Sequence, residues 1–215
     1  MAKFQKQKKQ NFSALFDTLK AYYPEATCSL DFKDPFELVV AVMLSAQCTD
    51  ERVNRTTKDI FPTYSSPEDF RKIPLETLEK LIHPCGFYQT KAKNIKATAT
   101  KIVEDFGGKV PEDMESLMTL PGVGRKSANV IMLEVFHNPQ GIAVDTHAKR
   151  LSYRLGLSVE TDPSKIEQDL LKVLPNHYLF DVNHLLVWHG RNCCTARNPK
   201  CDTCPLASQC PRNGI

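Results

Sequence analysis

The sequence predicts an all-α protein. Apolar residues recur at helical spacing in segment after segment, and no run with the two-residue alternation of a half-buried strand survives beside them. Capping residues and paired glycines also stand where the periodic runs begin and end. With 215 residues, 41% of them hydrophobic and 25% charged, the chain can bury a substantial core in one large or two small domains.

The first strong element is PFELVVAVMLSAQ. Phe36, Val39, Val40, Met43, Leu44 and Gln47 share one helical face, while Leu38, Ala41 and Val42 put apolar surface on the other sides. This helix should therefore be buried on most faces. Its successor starts near Thr49–Asp50, where either side chain can cap the first amides. From Tyr88 to Phe106 the stripe is Ala92, Ile95, Ala99, Ile102, Val103 and Phe106, stopped by Gly107–Gly108. A short helix near Pro111–Leu120 leads to a glycine turn, after which Ala128, Ile131, Met132, Val135 and Phe136 mark another stripe. Helices over Asp145–Leu155, Pro163–Leu174 and His177–His189 follow. Asn138–Pro139–Gln140–Gly141 is the expected crossover between two helical layers, too short for a flexible linker.

Charge alone says little about partners, since 28 basic and 25 acidic residues leave a net charge of +3. Lys3, Lys6, Lys8 and Lys9 form a basic tail, and Lys91, Lys93, Lys96 and Lys101 stud one helix; each run alone reads as a solvated tail or face. The longest strongly apolar run, Leu38 to Leu44, is far short of a bilayer span, and MAKFQKQKKQ lacks the apolar stretch of a secretory signal. A protein of the cell interior, without a membrane partner, is expected. Of eight cysteines, five crowd into Cys193 to Cys210, which suits a metal site in a reducing compartment better than a disulfide framework. Cys28, Cys48 and Cys85 are expected to be ordinary buried residues.

Four groups of residues carry possible chemistry. In Leu120-Pro121-Gly122-Val123-Gly124-Arg125-Lys126, two glycines permit positive φ and close approach of another molecule, and the helix that follows offers its amides to an anion. The same glycines would serve a plain helix–turn–helix connection. Lys126, in the first turn and off the apolar stripe, sits where the helix dipole disfavours a cation by roughly 0.3–1 kcal/mol. An uncharged amine is what a Schiff-base nucleophile needs, although an exposed lysine on a phosphate-binding turn is the plainer reading. Asp145 reads first as an N-cap, a role that would also fix its carboxylate in space. Gln47 is either a hydrogen-bonded core glutamine or a group projecting into a cleft. Finally, Cys194-x6-Cys201-x2-Cys204-x5-Cys210 could bind tetrahedral zinc or wrap a larger 4Fe–4S cluster.

Taken together, PFELVVAVMLSAQCTD, GFYQTKAKNI, LPGVGRKSANV, IAVDTH and the terminal cysteines resemble, in order and over nearly the whole chain, the endonuclease III family of helix–hairpin–helix DNA glycosylases. The resemblance implies a two-domain all-α fold. A six-helix barrel domain would span 28–138, with the hairpin at about 112–137. A cluster domain would combine 1–27 with 139–215, its loop at 194–210.

It implies removal of oxidised or otherwise damaged pyrimidines from duplex DNA, with Lys126 and Asp145 as the catalytic pair. Lys126 would form a Schiff base with the extruded sugar, and β-elimination would nick the strand 3′ to the abasic site. Gln47 would fill the gap left by the flipped nucleotide, and Phe87, where relatives commonly carry leucine, would wedge the helix. Gly122, Val123, Gly124 and Arg125 would bind backbone phosphate. Asp50 is a secondary candidate near the pocket. Cys194, Cys201, Cys204 and Cys210 would hold a 4Fe–4S cluster, with Cys193 an extra thiol beside the first ligand, and Arg197 and Lys200 would make the cluster loop basic. The expected partner is double-stranded DNA with damaged bases or abasic sites, met by a monomer in a prokaryotic cytoplasm, at the nucleoid. Adenine-mismatch glycosylases share hairpin and cluster but lack the lysine and carry a long C-terminal domain, where this chain stops five residues after Cys210. A non-enzymatic DNA-binding module would not need Lys126, Asp145 and Gln47 together.

Overall fold

Helix starts along the chain are set by short polar side chains and prolines. Asp34 accepts from the amides of Phe36 and Glu37 with Pro35 at the first helical position, Ser66 and Asp69 form a reciprocal capping box, and Asp113, Asp145 and Asp162 each accept an amide of the helix they precede. The structure, a computed structural model, describes residues 4–6 and 12–215. Lys3, Lys8 and Lys9 of the basic tail lie outside the described residues; Lys6 is exposed. Eleven α-helices form among the described residues: α1 (Phe12–Tyr22), α2 (Pro35–Ser45), α3 (Asp50–Ile60), α4 (Pro67–Lys72), α5 (Leu75–Ile82), α6 (Tyr88–Phe106), α7 (Met114–Met118), α8 (Arg125–Glu134), α9 (Thr146–Arg154), α10 (Pro163–Leu171) and α11 (Val182–Asn192). No strand occurs among them, and no helix is long and apolar enough to cross a membrane.

The chain divides into two units. One is the continuous stretch Ser29–Asn138. Its centre is α2, where every residue from Phe36 to Leu44 is buried, in keeping with an apolar surface that runs all round the helix. Around it pack α3, α6 and α8, while α6 also covers α4 and α5, and α7 lies against α8. The other unit joins the residues up to Cys28 with Pro139–Ile215. Its core brings Phe12, Leu15, Phe16 and Leu19 of α1 together with Leu185 and Leu186 of α11 and Leu151 of α9. Each such side chain contributes about 1.5–3 kcal/mol by leaving water. Residues 4–6 are tied into this unit, since the Gln5 amide donates to Asn213 Oδ1 (2.9 Å), Asn213 Nδ2 donates back to the Gln5 carbonyl (2.9 Å), and Phe4 stacks near Tyr153 at 5.3 Å.

Several expectations are corrected. Helix α2 ends at Ser45, whose hydroxyl donates to the Val42 carbonyl (2.8 Å) and competes with the helical ladder, so Gln47 lies past the helix. Of Thr49 and Asp50, either of which could cap α3, Thr49 does so. The helix expected over His177–His189 is two elements, a 3₁₀ turn over Asn176–Phe180 started by Pro175, and α11. Asp181 parts them, held at φ −109° with its carboxylate on Lys20 at 2.5 Å. Cys85 is buried, but Cys28 and Cys48 are only half-buried. The solvated lysine face holds for Lys93, which is exposed, but not for the whole row. Lys91 is buried, and Lys96 donates to the carbonyls of Arg71 and Ile73, capping the end of α4.

Candidate functional site

In the continuous unit the glycine turn joins α7 to α8. Gly122 has φ +82°, and a Cβ there would meet Asn94 at 3.0 Å and Met43 at 3.1 Å, so this position needs glycine for both conformation and space. Gly124 is different. Its φ is −93°, nothing lies within 4 Å of where a Cβ would be, and it caps α8 with no side-chain hydrogen bond. Gly124 is itself exposed, so the head of α8 lies at the surface. Val123 is buried in the core, leaving its backbone as the part another molecule could meet, while Arg125 and Lys126 are exposed in the first turn.

Gln47 and Phe87 share a feature that the sequence did not announce. Both have left-handed backbones, φ +54° and +47°, although neither is glycine, and Phe87 is 64% exposed. Such conformations cost of order 1–3 kcal/mol and persist only where the surroundings hold them. The two residues line one hollow together with Met43, Asn94, Lys91 and Gly122. Three expected DNA contacts, Gln47, Phe87 and the hairpin glycine, are thus brought together in one unit. Asp50, in the first turn of α3, is not among the residues lining that hollow.

Asp145 belongs to the other unit. It caps α9, its carboxylate accepting from the Ala148 amide at 2.7 Å, and it is half-buried behind the apolar run Ile142-Ala143-Val144. Further along α9, Arg150 donates to the carbonyls of Gly190 (2.9 Å) and Cys194 (3.0 Å). One turn on, Arg154 donates to the Cys194 sulfur (3.3 Å) and to the Thr195 and Ala196 carbonyls. The helix that presents Asp145 is thereby tied to the start of the cysteine loop. Neither arginine was singled out from sequence, although their i, i+4 spacing puts them on one face.

The cysteine loop surrounds a hollow lined by Cys194, Cys201, Cys204 and Cys210, with Cys193 and His189 beside them. Its sulfurs are supplied with donors. Besides Arg154 on Cys194, the Leu206 amide points at Cys204 Sγ (3.4 Å) and the Arg212 amide at Cys210 Sγ (3.3 Å), contacts that favour thiolate sulfur. His189, buried and with its pKa pushed down to about 4 by that burial, is neutral. Its Nδ1 is hydrogen-bonded to the Tyr23 hydroxyl (3.1 Å), and its Nε2 faces Cys204 Sγ at 3.6 Å. The Cys193 thiol turns to the Lys200 carbonyl (3.7 Å), and burial, followed by the neighbouring thiolates, pushes it up to about 12. Among the described residues, the ligand atoms gathered within 4.8 Å of one another are those of His189, Cys193 and Cys204; the four spaced cysteines form no such tight knot. Cysteine sulfurs lining one hollow and met by N–H donors suit an iron–sulfur cluster.

Comparison with known proteins agrees with this geometry. The family model of the HhH-GPD superfamily base excision DNA repair protein matches residues 40–176, which takes in the hairpin, Lys126 and Asp145. The model of the iron–sulfur binding domain of endonuclease III matches residues 194–210, from the first cysteine of the spaced set to the last. A curated endonuclease III of Synechocystis sp. is 48% identical over 204 residues, covering 95% of this chain and 93% of the relative. The solved structure of a non-covalent endonuclease III–DNA complex superposes with a TM-score of 0.91 at 41% identity, covering 95% of this chain and 96% of the other. That of a trapped endonuclease III–DNA covalent intermediate matches with the same figures. Fold, hairpin and cysteine loop thus define a base excision DNA repair protein with the two-domain helix–hairpin–helix glycosylase fold. Within that class the chain belongs to the endonuclease III family, as a DNA glycosylase and abasic-site lyase whose cofactor is a 4Fe–4S cluster.

Proposed function

We propose that this chain excises oxidised pyrimidines from duplex DNA and nicks the strand 3′ to the resulting abasic site, with Lys126 as nucleophile and Asp145 as its carboxylate partner. The observation that carries the reading is an exposed lysine in the first turn of α8, directly after a glycine turn that leaves the helix head at the surface. A phosphate on the amides there would register the DNA backbone against the lysine without reading sequence. The damaged nucleotide leaves the stack. Lys126 Nζ then forms a bond to the sugar C1′ as the bond to the base breaks, and the base leaves with the bonding pair and takes a proton from water. The Asp145 carboxylate, held by the cap it makes, stabilises the cationic sugar and receives the proton that the attacking amine gives up. That proton passes to O4′ as the C1′–O4′ bond breaks, opening the sugar to an iminium that acidifies C2′; loss of a C2′ proton expels the 3′ phosphate, and water then hydrolyses the imine to return the lysine.

Gln47 occupies the space vacated in the stack and Phe87 wedges the neighbouring step. Gly122 to Arg125 hold phosphate. Cys194, Cys201, Cys204 and Cys210 hold the cluster, which when bound braces the loop and supplies no substrate chemistry, and exposed Arg197 and Lys200 turn a basic surface to DNA. Cys193, occupied by the Lys200 carbonyl, stays outside the ligand set. The chain works as a monomer on damaged or abasic duplex DNA at a bacterial nucleoid.

Lys126→Ala is expected to abolish borohydride trapping of protein on a duplex containing thymine glycol or an abasic site. Undiminished trapping would refute the assignment. Adenine opposite 8-oxoguanine, run beside these, separates this activity from adenine-mismatch excision.

A further inference from the structure

The row of lysines on α6 contains one that serves neither solvent nor phosphate. Lys91 is 7% exposed, and among the described residues it is the one buried lysine. Its ammonium donates to the Leu44 carbonyl at 2.8 Å and to the Cys85 carbonyl at 2.9 Å. Burial lowers its pKa, so holding this group in place runs against desolvation.

The two carbonyls belong to distinct elements. Leu44 is in the last turn of α2, three residues before Gln47, and Cys85 ends the 3₁₀ turn His83–Cys85, two residues before Phe87. Both groups are C-terminal carbonyls of helical turns, the kind left without an intrahelical partner. The left-handed tips at Gln47 and Phe87 thus share one fastening at their roots, and Lys91 also lines the hollow into which both face. Strained tips persist where something over-determines them, and a single cation bonded to both roots does that at both at once.

We infer that Lys91 is a positioning residue for base extrusion, fixing the spacing of the Gln47 and Phe87 tips so that the two enter the duplex together. The inference rests on the reading of Gln47 and Phe87 as residues that enter the DNA stack. Opening a duplex needs both tips in register, whereas an abasic sugar in single-stranded DNA needs neither.

The test is Lys91→Met, which keeps the stem and removes the donors. It is assayed for base release from a thymine glycol duplex and for strand nicking at a single-stranded abasic site, with 2-aminopurine fluorescence beside the lesion reporting stack opening. Duplex release and the fluorescence change are expected to fall about tenfold or more, and single-strand nicking to stay within about twofold. Lys91→Arg keeps the charge and donors with a longer reach, and should show the same split in milder form if the Met variant melts too low to assay. An equal fall on both substrates, or no fall on the duplex, would overturn the inference. Gln47→Ala and Phe87→Ala are run in parallel. If these leave stack opening intact while Lys91→Met does not, the reading of the tips fails, and this inference with it.

Discussion

At the scale of single residues, Asp145 does two jobs with one side chain, and they can be separated. Asparagine caps a helix about as well as aspartate, whereas alanine does not, at a cost of about 1 kcal/mol. Asp145→Asn should therefore melt near the parent temperature, and Asp145→Ala about 2–4 °C lower. If the carboxylate charge steadies the sugar cation, both variants should lose about two orders of magnitude or more in base release while DNA binding is largely kept. Thermal melts beside single-turnover excision check this; an Asn variant with full excision would leave the carboxylate with its cap alone. The cap was legible because Asp145 ends an apolar run just before a helical pattern. Lys91 was not, because a lysine among lysines looks like part of a charged face. Its register told otherwise: Lys91, Ile95, Thr98 and Ile102 repeat at the spacing of the buried side of α6.

Among elements, the glycine turn separates what a fold needs from what a ligand needs. Gly122→Ala forces a Cβ onto Asn94 and Met43 in a left-handed backbone, so it should lower the melting temperature along with DNA affinity. Gly124→Ala meets nothing and has an ordinary φ, so it should fold normally. It should nevertheless weaken binding to undamaged duplex at low salt, because the new methyl group stands where phosphate would approach. Fluorescence anisotropy with a melt for each variant would decide it, and unchanged affinity in Gly124→Ala would remove the turn from the DNA contact. Periodicity found most helices but misjudged where they stop. Ser45 and Asp181 end or part helices through hydroxyl and carboxylate contacts that no apolar pattern records. The left-handed tips were equally silent, since nothing in the identity of Gln47 or Phe87 calls for positive φ.

On the scale of the whole molecule, α9 links the cysteine loop to the capped carboxylate through Arg150 and Arg154, which grip the Cys194 carbonyl and sulfur. Stripping the iron should release that grip. Hydrogen exchange is expected to speed up at the amides of 194–215 and in the last turn of α9, while the amides of 29–138 keep their protection. Uniform loss across the chain would mean that the loop braces far more than its own unit. The cofactor was readable from spacing and family likeness, whereas its supporting cast of Tyr23, His189 and the two arginines comes from three separate stretches of sequence and had no local signature. The unequal continuity of the two cores also bears on the order of events during synthesis. Residues 29–138 can close their core soon after the last of them leaves the ribosome, because every partner is already at hand. Phe12, Leu15, Phe16 and Leu19 emerge before residues 29–138 and yet must wait for Leu185, Leu186 and Leu206. The apolar face of α1 therefore stays uncovered while residues 20–184 are made, an interval in which a holdase chaperone could bind it.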